Sequence, residues 1–330
     1  MKTSFHDDAR AWLAAELAEI DADVPAPDDP FKLACLYFNA ALRTIFPARR
    51  TVHTSAVLRA KLASPTVDPT IVTAVREIVR RSQAGENLRP FQSTTVADAR
   101  FQDQLLNDWG IQHLHVGALH EPRKVRRARM AKAGRRGHFI GGRNELLFAY
   151  VERADLYLID LLDHGAFAEK GLLETMHREW PGVISRHVGR GLQGAPLIDG
   201  RREDVPAAKR KALRGKLNFM TTMDDGTVYL SPGGGFSATG MNMKVVMAAD
   251  IFHASVERLE AWAHENEESL RSEIEKPGRI AGELNLRLSF DDESRAMLTE
   301  PTYRIGFRTD LRLRTTGHLV SVVSDVPLVA

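Results

Sequence analysis

The chain has 330 residues, of which 43% are apolar and 27% charged, and its net charge is only +2. These values sit near globular averages and exclude a disordered polymer, while the length allows two or three packed units. A single cysteine, Cys35, excludes an internal disulfide framework and reads as a small buried hydrophobe.

The opening Met-Lys-Thr-Ser-Phe-His-Asp-Asp is polar and acidic, unlike a signal peptide. No uninterrupted apolar run reaches the ~18 residues of a membrane span, so no membrane contact and a cytoplasmic location are expected. Residues 7–21 read as a helix, capped by Asp7 or Asp8, with Leu13, Leu17 and Ile20 on one face. Three prolines between Asp21 and Pro30 end it. Phe31–Phe46 is apolar on most sides and reads as a buried helix stopped by Pro47. Asp68-Pro69 starts another helix, with Ile71, Val75, Ile78 and Val79 on one face and Gly85 at its end.

The pattern changes near residue 100. Ile111–Val116 alternates and suits a strand. Leu146–Val151 and Leu156–Leu162 read as a hairpin joined through Glu152-Arg-Ala-Asp155, and Phe167–Trp180 as a helix. Residues 190–216 are polar and basic, as in a linker or exposed arm. A short strand, Thr227–Leu230, precedes the run Pro232-Gly-Gly-Gly-Phe-Ser-Ala-Thr-Gly240. Lys244 to about Ile274 reads as one long helix, and the alternation after Glu283 as an antiparallel meander. The expected class is α+β. Its expected units are a helical N-terminal unit (1–98), a central antiparallel sheet with helices (99–190), a basic linker (191–226) and a C-terminal α+β unit (227–330) with a long helix and a β-meander.

Four features carry chemistry. His113 and His115, two apart in a strand, project from one face; they suit proton transfer or metal binding, or they are polar groups on a solvent face. Asp163-His164 ends a strand before a loop, a common place for active groups, and equally suits a helix cap. Between Arg123 and Arg143 there are nine Lys or Arg and no Asp or Glu. In that block Arg126, Arg127, Arg135, Arg136 and Arg143 offer forks for phosphate, and the block suits RNA or DNA better than a membrane. The glycine run lacks the Gly-Lys-Ser/Thr ending of a P-loop and the dinucleotide spacing, so a tight turn or packing contact is expected there.

The segment Glu145-Leu-Leu-Phe-Ala-Tyr-Val-Glu-Arg-Ala-Asp-Leu-Tyr-Leu-Ile-Asp-Leu-Leu-Asp-His-Gly-Ala-Phe167 resembles the C-terminal strands of RelE/YafQ-type bacterial ribonuclease toxins. With the block from Asp103 to Trp180, it is the part of the chain to which the likeness extends. The resemblance places His164 at the family's late histidine, Phe167 near the aromatic residue after it, and His113–Gly117 at an earlier strand. It implies a small α+β ribonuclease and an antitoxin or other partner protein.

These readings converge on a nuclease, an RNA-cleaving toxin or phage-defence-type endoribonuclease. His113 or His115 would be base, His164 acid, and Arg135, Arg136 or Arg143 the charge on the phosphorane, with no cofactor required. One alternative keeps the hydrolase and adds a divalent metal held by His113, His115 and Asp163 or His164. Another is a module that binds nucleic acid or a partner protein without catalysis.

Overall fold

A computed structural model describes residues 1–21, 23–117, 139–140, 143–192, 197–198, 201–202, 205–276, 278, 280–291 and 295–312. In chain order, β1 (Lys2–Thr3) leads into α1 (Phe5–Ile20) and α2 (Pro30–Arg43). Then come β2 (Thr51–Thr54), α3 (Ala56–Ala63) and α4 (Pro69–Ala84). They are followed by α5 (Gln104–Trp109), β3 (Ile111–His115), β4 (Glu145–Val151) and β5 (Asp155–Asp163). Next are α6 (Gly171–Glu179), α7 (Pro181–Ile184), β6 (Leu197–Ile198), β7 (Arg201–Arg202) and α8 (Ala207–Leu213). The described chain closes with β8 (Thr221–Thr222), β9 (Val228–Tyr229), α9 (Met243–Glu265), α10 (Glu267–Glu275), β10 (Asn285–Phe290), β11 (Arg295–Glu300) and β12 (Ile305–Arg312). The class is α+β, and no helix among the described residues is long and apolar enough to cross a membrane.

Two compact units form, and their boundaries differ from the four segments expected from sequence. One unit joins residues 1–42, 98–100 and 244–330; the other comprises 43–97 and 101–243. The expected helical unit is cut because β2 pairs in parallel with β5, which draws residues after 42 into the second unit. Four polar or β-branched residues between helices gave no strand signal long enough to read.

In the first unit a sheet runs β1-β10-β11-β12. Buried Asp8 of α1 does not cap its helix; it accepts from the Leu288 backbone N–H at 2.8 Å and pairs with Arg287. Trp12 of α1 packs on Phe290 at 4.3 Å between ring centroids. The long C-terminal helix is two helices, α9 and α10, separated at Asn266.

The second unit is built on a sheet of order β2-β5-β4-β3, antiparallel except for β2 with β5. Its central strands are nearly continuous apolar runs because both faces are buried. Leu114, Leu147, Ala149, Leu156 and Leu158 meet Leu58 of α3 and Ile71, Val75 and Ile78 of α4. On the opposite face Ile111, Leu146, Phe148, Tyr150 and Ile159 meet Trp109, Leu172, Leu173 and Met176. Asp68 caps α4 by accepting from the Thr70 N–H, and Gly85 closes the helix in the left-handed region, as the sequence signals require.

The expected basic linker is, in its described part, anchored by two buried arginines while much of it stays exposed. α8 ends at a buried Arg214, and Arg210 within it is 1% exposed. The glycine run is a packing contact. Gly233 N–H donates to the Asp108 carbonyl and Gly235 N–H to that of Asn107, so the loop lies along the backbone of α5.

Candidate active site

The site is assembled from the two strands flanking β4. Asp103 caps α5, accepting from the N–H groups of Leu105 and Leu106. Gly110 ends that helix with φ of 74°, a left-handed conformation that suits glycine. The chain then enters β3 with residues 111, 113 and 115 facing the side of the sheet that carries Phe148 and Leu146. In register, His113 lies opposite Phe148 and His115 opposite Leu146. On the other side of β4, Glu145 pairs with Asp163, and the next residue, His164, donates its N–H to the Asn144 carbonyl at 2.8 Å.

That register brings the three histidines together. The rings of His113 and His115 are 5.9 Å apart, and those of His115 and His164 6.2 Å apart, between centroids. Phe167 stands among them, 5.2 Å from His113, 5.7 Å from His164 and 5.8 Å from Phe148. His113 and His115 are not on a solvent face; both are half-buried, while His164 is exposed.

The electrostatics follow from burial. Burial pushes His113 below the ordinary histidine range, the nearby His164 adds to the shift, and Asp103 opposes it. His115 is pushed down to about 4, first by burial and then by His113 and His164. Both rings are therefore neutral at pH 7. Their Nδ1 atoms are buried and have no hydrogen-bond partner among the described residues. Asp103 Oδ2 lies 3.9 Å from His113 Nδ1, beyond hydrogen-bond reach. Buried polar atoms normally find partners, so these two are exceptions among the described residues.

Beneath the cluster lies a buried ionic group. Arg214 Nε donates to Asp108 Oδ2 at 2.8 Å, and Arg210 approaches the same oxygen at 3.7 Å. The Arg214 guanidinium sits 4.5 Å over the Trp109 ring, and its Nη1 donates to the Phe167 carbonyl. Desolvation lowers the Arg214 pKa, and Asp108 works against that shift.

The other expected site residues divide. Arg143 is described, and it is paired: with Asp68 at 2.6 Å, with the Thr70 hydroxyl at 2.7 Å and with Glu145 at 3.7 Å. Hydrogen bonds from Thr70, and then from Arg143, hold the Asp68 carboxyl down at about 2. Arg126, Arg127, Arg135 and Arg136 lie outside the described residues. Asp163 is exposed, and it is His164 whose ring joins the pair on β3. Among the described residues no group of three or more His, Cys, Asp or Glu side chains is arranged to hold a metal ion.

Sequence reasoning missed Asp108, Arg210 and Arg214. Their one signal was the spacing of two arginines by four, which places them on one helix face inside a stretch otherwise read as solvated. No family model matches the chain, and comparison with curated proteins and with solved structures returned no match either.

Proposed function

We propose that the second unit carries a histidine acid–base centre that cleaves RNA. The observation that carries this reading is the meeting of His113, His115 and His164 around Phe167, with two buried Nδ1 atoms that have no partner among the described residues. Ribose-directed cleavage needs a base for the 2′-OH proton and an acid for the leaving 5′-oxygen. His115 or His113, both in the neutral form, would accept the first proton. His164, the ring with solvent access, is fitted to deliver the second. Charge on the phosphorane would fall to the basic block that follows β3, with Arg135 and Arg136 the residues named for it. Arg143 would have to exchange Asp68 for phosphate to join them. The likeness of residues 145–167 to RelE/YafQ-type toxins supports the same assignment, including a protein partner that restrains the activity.

A second reading, nucleic-acid binding without cleavage, is favoured by one observation. A ring held neutral down to about pH 4 is a weak proton acceptor at pH 7.

The deciding experiment incubates the protein with labelled single-stranded RNA and DNA in EDTA, and separately with Mg²⁺ or Mn²⁺, beside the His113→Ala/His164→Ala variant. Cleavage of RNA in EDTA that the variant loses supports the proposal. Cleavage only with added metal transfers the histidines to a metal-assisted hydrolysis. Salt-sensitive retention of intact label makes the protein a binding module.

A further inference from the structure

We infer that Arg214 is a positioning residue that locks the two histidine-bearing segments together through Asp108 and Phe167. The inference rests on the proposal that the histidine cluster is a proton-transfer site.

Both histidine-bearing segments end at this one guanidinium. Asp108 lies on α5, three residues before the start of β3, which brings His113 and His115 into the site. Phe167 lies in the turn that follows His164. Arg214 Nε holds the Asp108 carboxylate at 2.8 Å while Nη1 holds the Phe167 carbonyl. The Trp109 ring, 4.5 Å away, limits the plane the guanidinium can adopt. Phe167 in turn meets His113 edge-on at 5.2 Å and His164 at 5.7 Å. Carboxylate, guanidinium, carbonyl and ring thus form a continuous chain from one histidine strand to the other.

The degree of burial argues for a role beyond stability. The side chains of Asp108 and Arg214 are 1% and 3% exposed. An ion pair so removed from water repays little of its desolvation cost, and apolar residues of the same volume often serve stability as well. What apolar residues cannot supply is a planar fork that binds a carboxylate and a carbonyl at fixed angles. Lysine cannot supply it either, since its ammonium is a point charge.

The test is Arg214→Lys, which keeps the charge beside Asp108 and loses the fork. Histidine ring resonances are followed by NMR against pH, with steady-state cleavage of RNA alongside. In the parent protein burial holds His115 down at about 4, which is the titration expected there. In the variant the loosened cluster admits water, and that titration moves up by about one unit or more toward the ordinary value near 6.5. Turnover falls roughly 10²-fold, the scale of a displacement of about 1 Å, with KM within about twofold. Unchanged histidine titrations in a folded Arg214→Lys protein overturn the inference. Should that variant not fold, Phe167→Leu leaves the ion pair intact and removes the ring; the same titration shift supports the inference, and its absence overturns it. If the parent protein cleaves no RNA, the proposed activity is what fails, while the titrations still decide the role of Arg214.

Discussion

The ring of His115 lies 6.2 Å from that of His164, although β3, which carries His115, and β5, which ends one residue before His164, never pair with each other. β4 lies between them, and its Leu146 is the neighbour of both strands. A single-residue slip of β3 against β4 would turn both β3 histidines to the opposite face. The site is therefore as well defined as the register of β3.

Acid should destabilise the second unit. His115 has an ordinary value near 6.5 when unfolded and about 4 when folded, so the unfolded chain binds more protons between these limits. The stability contributed is fully present above about pH 6.5 and is lost as pH falls toward 4. His113 shifts in the same direction and adds to the slope. Thermal unfolding followed at pH 7.5 and pH 5 should show a lower midpoint at pH 5, and His113→Gln/His115→Gln should flatten the difference.

His164→Ala should lower RNA cleavage by about 10²–10⁴-fold, the usual worth of a positioned acid or base. The exposed position of His164 makes a folding defect a poor explanation of such a loss. Circular dichroism and melting midpoint should match the parent protein. Unchanged turnover would remove His164 from the mechanism.

Gly233→Ala should damage the fold. A methyl group there would stand 2.0 Å from the Leu106 carbonyl oxygen and 2.5 Å from that of Asn107. Both are helix backbone, which cannot swing aside. The expected loss is about 3 kcal/mol, at the upper end for overpacking. For a unit of this size that is roughly 6–12 °C in melting temperature.

Asp8→Ala should weaken the first unit by about 1–3 kcal/mol, because the buried Leu288 N–H loses its acceptor and Arg287 its partner. Denaturant unfolding monitored near Trp12, which packs on Phe290, reads this loss directly.

How much of this was visible in the chain varies with the range of the interaction. Helix α4 was legible because Asp68, Pro69 and Gly85 are local signals that act on their own neighbours. The hairpin β4–β5 was legible because its two apolar runs are close in sequence. The pairing of β2 with β5 was not, since Thr51–Thr54 offers a single apolar residue, Val52, and gains its order from residues about a hundred positions away. The three histidines could be listed but not joined, because their meeting depends on register across β4. Arg214 was hidden for a different reason. Charge in a polar stretch reads as solvated surface, and only a distant carboxylate, Asp108, makes its burial tolerable.

The interleaving of the two units sets an order for synthesis. Asp8 needs a backbone N–H that leaves the ribosome only after about 280 further residues, which at roughly 5–20 residues per second is a delay of tens of seconds. Through that interval α1 exposes the apolar face meant for β10, while residues 43–243 already hold the strands and helices of their own core. The nascent chain would then carry one finished unit attached to an unfinished one, with the histidine cluster assembled before the first unit has closed.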